Sequence, residues 1–165
     1  MTAHISRAQF LRGDFRGKKT VIRPPWSQDE PVFTETCTTC SDCIKACPES
    51  ILLKGRASYP VVDFENGECT FCGLCAEVCQ TSSINKLPDT PPWSLKAVIT
   101  DSCLAKKGIV CVSCQEECEQ NAIKFIPVAG HIPAPDINIS SCTGCGACYG
   151  SCPVNSISIS QGVSA

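Results

Sequence analysis

The sequence predicts an α+β fold of two tandem, similar halves, each made of short strands and helices gathered around metal clusters, with a basic helical extension in front. Three observations predict it. All 16 cysteines fall into four groups of four: Cys37, Cys40, Cys43 and Cys47; Cys69, Cys72, Cys75 and Cys79; Cys103, Cys111, Cys114 and Cys118; Cys142, Cys145, Cys148 and Cys152. The stretch Pro24-Pro25-Trp26-Ser27 returns as Pro91-Pro92-Trp93-Ser94, each copy shortly ahead of a cysteine group. The apolar content of 43% counts the cysteines, and beside the aliphatics only two Trp, two Tyr, six Phe and one Met remain. Two half-size domains with so little to bury are marginal without staples, and metal clusters would be those staples.

Residues 1–27 read as the extension. Ser6 and Gln9 have capping-box spacing, and Ala8, Leu11 and Phe15 form an apolar stripe among Arg7, Arg12 and Arg16, so a short docking helix is expected. Such a helix is too short to be stable alone and would order on a partner or an anionic surface; a frayed, solvated tail is the plain alternative. Pro24 and Pro25 end it, and Trp26 is expected to anchor onto the first half. Charge separates the extension from the rest. Residues 1–23 carry Arg7, Arg12, Arg16, Lys18, Lys19 and Arg23 against Asp14, a net of +5, which leaves −7 of the overall −2 on the remainder. Thiolates bound to oxidised clusters would make that body more anionic still. A basic head on an acidic body suits a protein partner or a membrane surface and makes no case for nucleic acid.

The two halves are read as residues 28–86 and 87–165. The offset between them is 67 at the prolines, 66 from Cys37 to Cys103, 71 from Cys40 to Cys111 and 73 from Cys69 to Cys142, so they align with a few short insertions. Within each half the segment joining the cysteine groups reads as a hairpin: Ile51–Leu53 and Val61–Phe64 around residues 55–60, then Ile123–Ile126 and Ile137–Ile139 around residues 128–136. Between the halves, NKLPDTPP at residues 85–92 reads as a proline-rich linker. Three groups have an Ile five positions after their last cysteine, Ile84, Ile123 and Ile157. This suits a strand returning beneath a cluster; the first group differs, with Ile51 and Leu52.

The cysteine spacing points to iron–sulfur chemistry. A cubane needs thiolates directed at four corners. Three cysteines at Cys-x2-Cys-x2-Cys wrap a tight loop that reaches three irons and turns its amide N–H groups toward the cluster sulfides, and a further cysteine before proline supplies a fourth ligand. CTGCGACYGSCP at Cys142–Pro153 has this pattern in full. Zinc sites generally separate two cysteine pairs by a long spacer. A [3Fe–4S] centre is expected where a ligand is missing, and none is. A secreted disulfide scaffold does not suit the stretch MTAHISRAQFLRGDFRGKKT, which has no signal-peptide apolar run, and no later stretch is long enough to span a membrane. A cytoplasmic location is expected, where such cysteines are read as metal ligands.

In two-cluster ferredoxins the cysteine before the proline ligates the other cluster. Applied here, Cys37, Cys40 and Cys43 join Cys79; Cys69, Cys72 and Cys75 join Cys47; Cys103, Cys111 and Cys114 join Cys152; and Cys142, Cys145 and Cys148 join Cys118. The fold class is then two tandem bacterial dicluster ferredoxin-like domains holding four [4Fe–4S] clusters. Nested pairing, first group with fourth and second with third, stays open from the sequence, although the repeated PPWS and the linker favour tandem pairs.

The copies differ. Gln80 and Glu119 replace the proline after Cys79 and Cys118, and residues 105–110 stretch the first gap of the third group. Such changes alter solvent access and amide donors, so the third cluster is expected to differ most in potential or lability. His4 and His131 are isolated and read as surface positions. No nucleophile with a paired base, no acidic pair and no glycine-rich nucleotide loop stands out, so no catalytic site is expected. Gly73, Gly144 and Gly146 lie in cluster loops and are read as allowing close backbone approach rather than binding phosphate.

The stretched third group CLAKKGIVCVSCQEEC, the opening SRAQFLRG, IRPPWS at residues 22–27 and the final CTGCGACYGSCPVNSI together resemble the NapF family, ferredoxin-type accessory proteins of periplasmic nitrate reductase systems. The resemblance covers essentially the whole chain. It implies a cytoplasmic protein with four [4Fe–4S] clusters that contacts the precursor of the catalytic molybdenum subunit before export and assists its maturation by supplying electrons or clusters. Residues 6–11 are similar to a twin-arginine export signal but have one Arg in place of two and no apolar segment after it, so export is not expected. Two other functions compete: an electron-wire subunit of a membrane-associated oxidoreductase, and a chaperone whose clusters are purely structural. Peripheral membrane contact through the basic N-terminus is a further expectation.

Overall fold

The structure, a computed structural model, describes residues 21–162. The docking helix expected over the first residues lies outside them. Three antiparallel two-stranded sheets and a set of very short helices make up the described part.

In the first half, α1 (Glu30–Thr36) begins with Pro31 in its first turn and Glu30 beside it, which suits the free N–H groups and the positive end of a helix. Its Phe33 is fully buried, with the Tyr59 ring 6.2 Å away and the Arg23 guanidinium 4.9 Å above its own ring. Arg23 also donates to both carboxylate oxygens of Glu30 and to the Pro60 carbonyl. Residues 22–26 are built into this half: the Val62 N–H donates to the Ile22 carbonyl at 2.8 Å, and Trp26 is buried in the same core as Phe33, Ile51, Leu52 and Phe64. A first cysteine loop leads into α2 (Asp42–Lys45). The hairpin β1 (Leu52–Lys54) and β2 (Pro60–Val62) follows, with Leu52 opposite Val62. The second loop and α3 (Leu74–Glu77) complete the half, and α3 packs on α2.

The second half opens with β3 (Leu95–Ile99). Next come the stretched loop, with a 3-10 turn at Ala105–Lys107, and α4 (Ser113–Glu116). The hairpin is β4 (Ile123–Val128) and β5 (His131–Ile137), and α5 (Ala147–Gly150) and β6 (Ile157–Gln161) end the described chain. Two expectations need correction. The connection read over residues 128–136 is mostly strand: β5 starts at His131, the turn lies at residues 129–130 with Gly130 at φ +75°, and a register shift falls between Ile126 and Val128. Pro133 and Pro135 disguise this strand, because proline removes an N–H from a ladder; a strand with one neighbour has a free edge that tolerates the loss. β6, the strand expected at Ile157, also has a partner that the sequence does not reveal. It pairs along its whole length with β3, Leu95 opposite Gln161 and Ile99 opposite Ile157. At the corresponding place in the first half there is a single bridge, Ser27 to Ile84, because the chain after Ser27 turns into α1.

Both PPWS copies work at the boundary between halves. Trp26 receives the linker: its backbone N–H donates to the Pro92 carbonyl at 2.7 Å, its indole N–H to Thr90 at 3.0 Å, and its carbonyl accepts from Asn85. Lys86 lies over its ring at 4.7 Å. Trp93 sits edge-on to Phe64 and Phe71 of the first half while donating to the Thr143 carbonyl of the second. The proline-rich segment is therefore strapped down along its length. Among the described residues, no helix is long and apolar enough to cross a membrane.

Candidate metal centre

Each cysteine group folds by the same local rules. The third cysteine of every group lies in a one-turn helix, Cys43 in α2, Cys75 in α3, Cys114 in α4 and Cys148 in α5, and all four are buried. The fourth cysteine follows just beyond the helix end. Three residues after it the backbone turns left-handed in every group, at Ser50, Ser82, Asn121 and Asn155, which sends the chain back under the loop toward the buried Ile51, Ile84, Ile123 and Ile157. Ahead of the helix, three groups hold a left-handed residue on each side of the second cysteine: Thr39 and Ser41, Phe71 and Gly73, Gly144 and Gly146. Turns of this kind point successive N–H groups into one concavity, which suits an anionic cluster.

The cysteines surround four cavities. The first is lined by Cys37, Cys40, Cys43 and Cys79, the second by Cys47, Cys69, Cys72 and Cys75, the third by Cys103, Cys111, Cys114 and Cys152, and the fourth by Cys118, Cys142, Cys145 and Cys148. In each, one cysteine comes from the neighbouring group of the same half. All 16 are free thiols. Among the described residues no three Cys, His, Asp or Glu side chains converge closely enough to hold a single metal ion. Four thiols spread around a cavity instead suit a polynuclear group whose irons lie at separate corners.

Burial, reinforced by neighbouring cysteines, pushes Cys43, Cys75 and Cys148 up to about 12 and Cys69 and Cys114 up to about 11. Such thiols stay protonated in an empty site, and coordination to a metal is what removes the proton. Cys79 and Cys152 differ. Burial opposes their ionisation, but it is outweighed at Cys79 by N–H donors led by Ile84 and by the Thr81 hydroxyl, and at Cys152 by the hydroxyl and N–H of Ser156. Direct N–H to sulfur contacts include Ser156 to Cys152 at 3.2 Å, Ala122 to Cys118 at 3.3 Å and Ala97 to Cys142 at 3.5 Å. The donor set is thus four thiols with backbone N–H groups behind them, and it fits a [4Fe–4S] cluster in all four cavities.

The third cavity is built differently. Its second cysteine, Cys111, is flanked by Val110 and Val112, neither of them left-handed, Val112 lying at φ −129°. The added residues form the 3-10 turn at Ala105–Lys107 and then expose Ile109 and Val110, the latter by 77%. Lys106 is tied back to the Ile99 carbonyl and to Asp101. Cys103, ahead of the insertion, is buried and still reaches the cavity.

Comparison with known proteins supports this picture. A family model described as a 4Fe-4S dicluster domain matches residues 36–83 and again residues 107–156; the second match starts inside the stretched loop and leaves Cys103 outside. The ferredoxin-type protein NapF of Escherichia coli K12 is 44% identical over 95% of this chain and 95% of its own length. The ferredoxin-type protein NapF of Haemophilus influenzae is 42% identical, covering 96% and 95% respectively. A methylamine utilization ferredoxin-type protein, MauM of Methylophilus methylotrophus, is 29% identical over 85% of this chain and 70% of its own.

Proposed function

The chain belongs to the NapF family of ferredoxin-type iron–sulfur proteins, and from that premise we propose that it is a cytoplasmic electron carrier with four [4Fe–4S] clusters that assists maturation of the catalytic subunit of periplasmic nitrate reductase before export. The observation that carries the cofactor reading is the set of four cavities, each lined by three cysteines of one group and the last of the next. A cluster held there would supply one-electron redox chemistry. The cysteines would anchor it, and the left-handed turns beside them suit N–H donation toward it. No catalytic role is assigned to the chain itself.

The partner reading is supported by the whole-length similarity and by the +5 charge of residues 1–23 against the acidic body. Co-purification of the unexported catalytic precursor with the full chain tests it. Deleting residues 1–20 should leave iron content unchanged and weaken the capture; equal capture by the shortened chain would count against a docking role. Recovery in membranes with a quinol-oxidising subunit would instead favour the wire-subunit function. Redox-silent clusters would favour a structural role for them.

The unusual third cavity yields a prediction. Neither Val110 nor Val112 is left-handed, so this loop lacks the paired turns that suit N–H donation in the other three, and fewer donors to cluster sulfur would make reduction harder. A redox titration followed by EPR should resolve one centre, that of Cys103, Cys111, Cys114 and Cys152, at a lower potential than the others. Four indistinguishable centres would contradict it.

A further inference from the structure

The cysteine sites of the two halves meet at one contact, between the second and fourth cysteine loops. Within the first half, α2, which carries Cys43 of the first site, packs on α3, which carries Cys75 of the second. In the second half α4 and α5 do the same with Cys114 and Cys148. Between the halves, the fourth cysteine loop is seated on the second. The Cys69 N–H donates to the Cys145 carbonyl at 2.8 Å. Gly146 lies so close to Phe64 that a Cβ there would stand 2.6 Å from the ring Cε1. Trp93 closes the contact from the side, edge-on to Phe64 at 6.1 Å and to Phe71 at 5.6 Å, with its indole N–H on Thr143 at 2.9 Å. Cys145 is half-buried, as is Cys111, at the loop position where Cys40 and Cys72 are exposed.

We propose that the chain is one unbranched electron row, in the order first, second, fourth, third site, and that the contact between Cys69 and Cys145 is the bridge between its halves. A single electron passes from a one-electron carrier at one end to a one-electron acceptor at the other, with no bond made or broken. The ends are the Cys37, Cys40, Cys43 and Cys79 site and the Cys103, Cys111, Cys114 and Cys152 site, the latter beside the exposed Ile109 and Val110. The junction aromatics fix how closely the two inner sites approach, so Trp93 and Phe64 are positioning residues.

The row rests on the reading that the sites hold clusters, and the test separates the two. Full-length protein is purified without oxygen, assayed for iron and sulfide, fully reduced and examined by EPR for spin coupling between centres, beside Trp93→Ala and the milder Phe64→Leu. Neither residue is a ligand. The expected result is full iron in all three, coupling within each half retained, and coupling between halves present in the wild type and lost or reduced in at least one variant. A wild-type spectrum equal to the sum of two independent pairs overturns the row while leaving the cluster reading intact. Variants with full iron and unchanged coupling between halves overturn the positioning role of Trp93 and Phe64. Wild-type protein without iron and sulfide overturns both.

Discussion

Replacing Cys152 with Ser should empty the site it shares with Cys103, Cys111 and Cys114 and leave the site of Cys142, Cys145 and Cys148 filled, so that about one quarter of the iron is lost and the low-potential centre disappears. Cys152 lies next to the fourth loop in sequence but lines the third cavity, because α5 stands between two cavities and its far end opens on the other one. The thiol there is supported for ionisation by Ser156, whose N–H and hydroxyl both lie within 3.2 Å of its sulfur. Serine offers a harder, less acidic ligand in its place. The reciprocal change, Cys118→Ser, should empty the fourth site instead. Loss of the Cys142, Cys145 and Cys148 centre in Cys152→Ser would show that each group serves its own cluster.

Gly144→Ala should cost far more stability than Gly108→Ala, although both glycines have left-handed backbones, at φ +73° and +81°. For alanine that conformation alone costs about 1–2 kcal/mol. Around Gly108 nothing lies within 4 Å of the added methyl, so the cost should stop there. At Gly144 the methyl would stand 2.8 Å from the carbonyl carbon of Leu95 and equally close to its Cβ. Backbone in β3 cannot turn aside as a long side chain can. The loop must lift from the strand, which strains the Lys96 hydrogen bond to the Cys142 carbonyl and the Ala97 N–H contact to the Cys142 sulfur. A total loss of about 3 kcal/mol or more is expected. Because a protein with bound clusters unfolds irreversibly, the comparison should be made as rates of cluster loss on heating at one temperature. Equal rates for the two variants would contradict this assignment of the loop to β3.

The cysteine groups and the strands returning after them were legible because ligand spacing is a local code and an Ile stands five positions after the last cysteine at Ile123 and Ile157. What was not legible depends on distant chain. β3 finds its partner some sixty residues on, and its counterpart in the repeat had become α1 around Pro31, so the duplication gave no hint of a strand. HIPAPDI reads as loop because its prolines are local breakers, whereas its free edge is a property of the sheet. Gly144 and Gly146 were read as making room for a cluster. Their missing side chains also make room for Leu95 and for Phe64 of the other half. The approach of Gly146 to Phe64 is one of the contacts that join the halves, and only the packed structure reveals it.

The central claim is that the 16 cysteines hold four [4Fe–4S] clusters, and it is tested most directly by counting iron and acid-labile sulfide on anaerobically purified full-length protein, with EPR after reduction. Four irons and four sulfides per site, sixteen of each in all, are expected, with signals from reduced [4Fe–4S] centres. Tightly bound zinc without labile sulfide, or irons sufficient for only one or two sites after full reconstitution, would contradict it.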